Sequence, residues 1–123
     1  MQALNAVLLL SDAGAAQSLV SLLSDSLGSI HLAHDVGEVR TDIAKHRAKV
    51  AILNMEEASL DDVKSLAGDF PEAHIVCTHR CADEEMWTAA LNAGAEDVCR
   101  LSDTTSIVRA AMNCTQLSHS LAA

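Results

Sequence analysis

The chain has 123 residues, half of them apolar, and a net charge of −9 from 17 acidic against 8 basic residues. That length fits one domain, 1–123, and the acidity sets the surface against nucleic-acid phosphate and anionic membranes. Trp87 and Phe70 are the only aromatic residues, so the core must be aliphatic and a stacking platform for single-stranded nucleic acid is excluded.

In chain order, residues 6–10 (AVLLL) form a continuous apolar run that stops at Ser11 and Asp12. Leu19, Val20, Leu23 and Leu27 then recur at helical spacing over 13–27, and Gly28 stands where a helix-terminating glycine belongs. Residues 29–33 read as a short second strand, and Val36, Val39 and Ile43 mark a second helix to about His46. A third strand, 49–53, runs into Asn54. Ser59-Leu60-Asp61-Asp62 has the S-x-x-D form of a helix start. Leu60, Val63, Leu66 and Phe70 continue that helix, and Pro71 closes it. Residues 75–78 form a fourth strand. Asp83 caps a helix carrying Met86, Ala90 and Leu91, which Gly94 ends. Residues 97–100 form the fifth strand, and a last helix starts near Ser102 or Asp103 and carries Ile107, Val108, Ala111 and Met112. From about residue 115 the chain is a polar tail or the start of a linker.

Strands that read as unbroken apolar runs are buried on both faces, as in a parallel sheet. Strict alternation of strand and helix implies right-handed crossovers, hence an α/β three-layer sandwich. No apolar stretch has membrane length, so the expectation is a cytoplasmic protein with no membrane contact. The four cysteines, Cys77, Cys81, Cys99 and Cys114, include no C-x-x-C pair and read as free thiols. Cys77, His79 and Cys81 alternate toward one side of an extended segment, with Cys99 on the next strand. The paired spacing of structural zinc sites is missing, so no metal is expected there.

Three stretches resemble the receiver domains of two-component response regulators, over nearly the whole chain. VLLLSD (7–12) is similar to the family's first strand, which ends in two acids. VAILNMEEASLDD (50–62) is similar to the third strand, the phosphoacceptor site and the loop after it. HIVCTHRCADEEMWTAALNAGAEDV (74–98) is similar to the fourth strand with its hydroxyl, the fourth helix and the approach to the fifth strand. The resemblance implies a CheY-like, flavodoxin-like (βα)5 fold with a five-stranded parallel sheet in the order 2-1-3-4-5.

In that family the two acids hold Mg²⁺, an ion that favours oxygen ligands. An aspartate at the end of strand three takes the phosphoryl group, and a hydroxyl and a lysine grip its oxygens. The resemblance places Asn54 at the phosphoacceptor, Ser11 and Asp12 at the acid pair, and Thr78 at the hydroxyl, with His79 a weaker alternative. It places Leu101 or Arg100 at the lysine and Val98 at the aromatic switch. A neutral amide cannot form an acyl phosphate, and one carboxylate binds Mg²⁺ weakly, so cofactors are expected to be none and Mg²⁺ binding weak or absent. Asp12 is equally readable as a helix N-cap.

No G-x-G-x-x-G, G-x-x-x-x-G-K-[ST] or G-x-S-x-G is present, and an enzyme is not expected. The preferred reading is a pseudo-receiver in signal transduction that acts without phosphorylation, through a protein partner or homodimer. The resemblance puts that contact on the face of the fourth helix, fifth strand and fifth helix, with Trp87, Met86, Ile107 and Met112 as candidates. One alternative is a phosphorylatable regulator, controlling a separate output domain, whose acceptor aspartate has been replaced by Asn54. Another is a small-ligand sensor built on the pocket of Asp12, Asn54 and Thr78.

Overall fold

Among the described residues, five strands and five helices alternate. In order they are β1 (Leu4–Leu9), α1 (Ala13–Ser26), β2 (Gly28–Ala33), α2 (Val36–His46) and β3 (Val50–Asn54), then α3 (Leu60–Asp69), β4 (His74–His79), α4 (Glu84–Ala93) and β5 (Asp97–Arg100), followed by α5 over 104–112. The computed structural model describes residues 4–26, 28–80 and 83–112. Every strand pair is parallel, and the sheet order is β2-β1-β3-β4-β5.

The helices begin where the sequence supplies a side-chain oxygen. Asp12, Asp35, Ser59, Asp83 and Asp103 each accept a hydrogen bond from the backbone N–H three residues on, satisfying a donor that the first turn leaves open. At α3 the cap is reciprocal, because the Asp62 carboxylate accepts the Ser59 N–H. At Asp103 the Ser106 N–H and hydroxyl both bond the carboxyl and hold it below the usual carboxylate range. Gly94 ends α4 at φ 119°, and a Cβ there would lie 2.6 Å from that of Ala67. Both the backbone conformation and the close approach of α3 require glycine.

Strand side chains alternate between two cores, as a sheet covered on both faces demands. Val7, Leu9, Ala51, Leu53, Ile75, Cys77 and Val98 pack under α2, α3 and α4. Ala6, Leu8, Leu10, Val50, Ile52, Val76 and Cys99 pack under α1 and α5. All residues of the predicted central runs 6–10, 50–53 and 75–77 are buried. Burial, and secondarily the nearby Cys99, pushes the Cys77 thiol up to about 12, so it is inert at neutral pH. Cys81 and Cys114 lie outside the described residues, as do Leu27 and the tail from 113.

Several boundaries differ from the sequence reading for one reason. Asn5, Asn54, His74 and His79 are polar strand residues that a search for apolar runs trims away. Gly28 is the first residue of β2, opposite Leu4.

One non-local contact ties the β2 edge to α2. The rings of His31 and His46 stack at 3.7 Å with planes 5° apart. Asn5 joins both: its Nδ2 donates to the His46 carbonyl at 2.9 Å, and its Oδ1 lies 3.4 Å from His31 Nε2. The Asn5 oxygen can only accept, so His31 carries its hydrogen on Nε2. Burial first, and then His46, lower the His31 pKa from 6.5; Asp42 opposes this and Lys45 adds to it. The unfolded chain therefore takes up this proton before the folded one does. His31's contribution to stability should be complete above pH 6.5 and should decline as the pH falls through that value toward the lowered folded pKa. Urea midpoints measured from about pH 7.5 down to about pH 5 should show the decline, and His31→Gln should flatten it. An equal decline in the variant would assign it elsewhere.

Candidate functional site

The carboxyl ends of β1, β3 and β4 converge, and each delivers one polar group. Asn54 ends β3 and is only 4% exposed. Thr78 lies opposite it in register on β4 and is equally buried. Thr78 Oγ1 donates to Asn54 Oδ1 at 3.4 Å, and Asn54 Nδ2 donates to Glu57 Oε2 at 3.1 Å. The Ser11 N–H, just beyond β1, donates to the same Glu57 oxygen at 2.8 Å. A carboxylate only accepts, so Glu57 fixes which end of the Asn54 amide faces it. The result is one hydrogen-bonded chain, Thr78–Asn54–Glu57–Ser11, across three strand ends. Among the described residues no buried side-chain polar atom lacks a partner.

Glu57 was not among the residues singled out from the sequence. It returns to Asn54 because residues 55–57 form a turn in which the Glu57 and Ala58 N–H groups bond the Asn54 carbonyl at 2.9 and 3.1 Å. An acid three residues past a strand end was the available signal.

The other site residues fall as follows. Ser11 is exposed and contributes its backbone rather than its hydroxyl. Asp12 is exposed and caps α1. Val98 is buried under α2–α4, where it leaves no aromatic ring to move. Leu101 packs against the α1–α5 core, and its N–H donates to the His79 carbonyl at 2.9 Å. Arg100 is exposed at the end of β5, opposite His79. Arg80 pairs with Glu56 at 3.2 Å. On the flank, Trp87 is 46% and Met112 37% exposed. Met86 is half-buried against the core. Ile107 is corrected from surface to core: it is fully buried under the sheet with Ala110 and Ala111, because the face of α5 at spacing i, i+4 turns inward.

Neither a protein-family model nor a curated protein matches the sequence. Solved structures do match in fold. A signal receiver domain from Mycobacterium tuberculosis (NarL) superposes with a TM-score of 0.82 at 19% identity, covering 94% of this chain and 98% of that one. A CheY-like receiver domain protein from Methanospirillum hungatei gives 0.77 at 14%, covering 95% and 99%. NtrX from Brucella abortus, solved in complex with ADP, gives 0.80 at 15%, covering 98% of this chain but 29% of that one. The fold is that of response-regulator receiver domains. In a receiver fold the convergence of β1, β3 and β4 is also the switch point of the strand order, where open α/β sheets place ligands.

Receiver sites imply Mg²⁺, and the donor set here does not fit it. Two of the expected oxygen donors, Ser11 and Asn54, are neutral, and Asp12, whose Oδ1 accepts the Ala15 N–H as a cap, is the one acid left of the expected set. Among the described residues no three His, Cys, Asp or Glu side chains gather as a metal set would. No helix among them is long and apolar enough to cross a membrane.

Proposed function

We propose that this chain is a receiver-type signalling module that works without phosphoryl transfer, by binding a protein partner or a second copy of itself. The observation that supports this most is the buried Asn54 amide, held by Thr78 on one side and Glu57 on the other. A phosphorylatable site needs a free carboxylate there and a hydroxyl free to turn toward the new phosphoryl oxygens. Here the nucleophile is absent and the hydroxyl is already bonded. No catalytic role follows for any residue of the site. Intact-protein mass after incubation with acetyl phosphate and Mg²⁺ should show no adduct. An adduct would place the acceptor at another residue and overturn the reading.

The contact face fits the same picture. Trp87 stands exposed on α4 one turn after Asp83 and Glu84, which are exposed as well. A large aromatic rimmed by charge is a common anchor of protein interfaces. With a chain charge of −9, the partner surface expected is an apolar recess flanked by Lys or Arg. Trp87→Ala should weaken association by about tenfold or more in sedimentation, while the thermal midpoint stays nearly unchanged. A large fall in that midpoint would instead place Trp87 in the core.

A further inference from the structure

Beside the Asn54 site lies a cavity of about 540 Å³, between the start of α1 and the end of β2. Its walls include Leu10, Ala13, Val20 and Leu32, and its polar end holds Ser11 and Glu57. Neither Asn54 nor Thr78 lines it. A volume of this size is typical of small-molecule sites. Leu32 is 44% exposed on the edge strand, an unusual place for a large aliphatic side chain. The Glu57 carboxylate is asymmetric in its bonding. Oε2 takes both the Ser11 N–H and the Asn54 amide, and among the described residues Oε1 has no hydrogen-bond partner. His34, also at the rim, is engaged by Glu38 at 2.9 Å.

We infer that this cavity binds a small organic cation, with its apolar body against Leu10, Val20 and Leu32 and its ammonium group on Glu57 Oε1. The chemistry selects that class. An anion meets a carboxylate and a chain of charge −9. A bare divalent cation needs several oxygen ligands, and beside Glu57 the lining offers only the neutral side chains of Ser11 and Gln17, with no three His, Cys, Asp or Glu side chains gathered as a metal set among the described residues. An ammonium group donates to the carboxylate in a charge-assisted bond, which a neutral apolar molecule cannot make. A cation on Oε1 would draw on the same carboxylate that holds Ser11 and Asn54. Ligand occupancy would thus reach the strand ends that a phosphoryl group reaches in other receivers. The inference needs only the cavity and Glu57, and it stands or falls independently of any partner on the Trp87 face.

The test is an amide NMR titration of the full chain with hexylammonium chloride, hexanol or hexanoate at matched ionic strength. Hexylammonium should give saturable shifts at Ser11, Leu32 and Glu57. Hexanol should bind about tenfold more weakly, and hexanoate should leave these amides unmoved. Glu57→Gln should reduce hexylammonium to the level of hexanol. Leu32→Ala, at an exposed position that tolerates truncation, should weaken hexylammonium and hexanol alike by about threefold. Shifts that fail to saturate, hexanol binding as well as hexylammonium, or binding unchanged in either variant would each overturn the assignment.

Discussion

Replacing Asn54 with aspartate should destabilise the protein by about 3 kcal/mol at neutral pH, even though it restores the residue that working receivers carry. The amide nitrogen that now donates to Glu57 at 3.1 Å would become a carboxylate oxygen. Two acceptors would then meet where a donor and an acceptor meet now, at a position only 4% exposed. The cost combines a lost hydrogen bond with like charges held in contact. Thr78 cannot offset it, because its hydroxyl already donates to this side chain. Lowering the pH should recover part of the loss, since one shared proton would bridge the two carboxylates. Adding Glu57→Gln should recover most of it at neutral pH, because the new amide can donate to Asp at position 54. Urea denaturation of the parent, both single variants and the double variant closes the cycle. An Asn54→Asp protein as stable as the parent would mean that Glu57 does not hold the amide.

What could be read from the sequence was local or periodic. The caps at Asp12, Ser59 and Asp83 were visible because a cap is set by one side chain and the N–H three residues on. The central strands were visible because burial on both faces leaves only apolar residues. Asn54 and Thr78 were singled out through the resemblance to receiver domains, and the structure sets them opposite each other in register. The rest depends on tertiary geometry. Glu57 reads as one more acid in an acidic loop until the turn at 55–57 carries it back against Ser11, which is 46 residues away in sequence. The His31–His46 stack arises from where α2 settles on β1 and β2, which no spacing encodes. On α5, Ile107 and Met112 are both large and apolar, and only the packed helix shows that the first faces the core and the second faces outward.

Labelling by acetyl phosphate should rise with the number of carboxylates at the strand ends, and not with position 54 alone. The unmodified chain should take up nothing at Asn54, because an amide is no nucleophile for this reaction. Asn54→Asp should label slowly. Its carboxylate would share Glu57 as a neighbour of like charge, and Ser11 would leave added Mg²⁺ one oxygen ligand short. Adding Ser11→Asp should speed labelling by about 10–100-fold. Ser11 is exposed, so the new carboxylate enters without disturbing the core. The two substitutions act on one site, and their effects should multiply only when present together. Rates should still fall short of a complete receiver, because neither Leu101, packed against the α1–α5 core, nor the exposed Arg100 supplies the lysine that the family sets against developing charge. The measurement is intact-protein mass against time for the parent, Asn54→Asp, Ser11→Asp and the double variant. Rapid, complete labelling of Asn54→Asp alone would show that Ser11 and the missing lysine do not limit the chemistry. It would turn the reading toward a phosphorylatable regulator in which Asn54 replaces the acceptor acid.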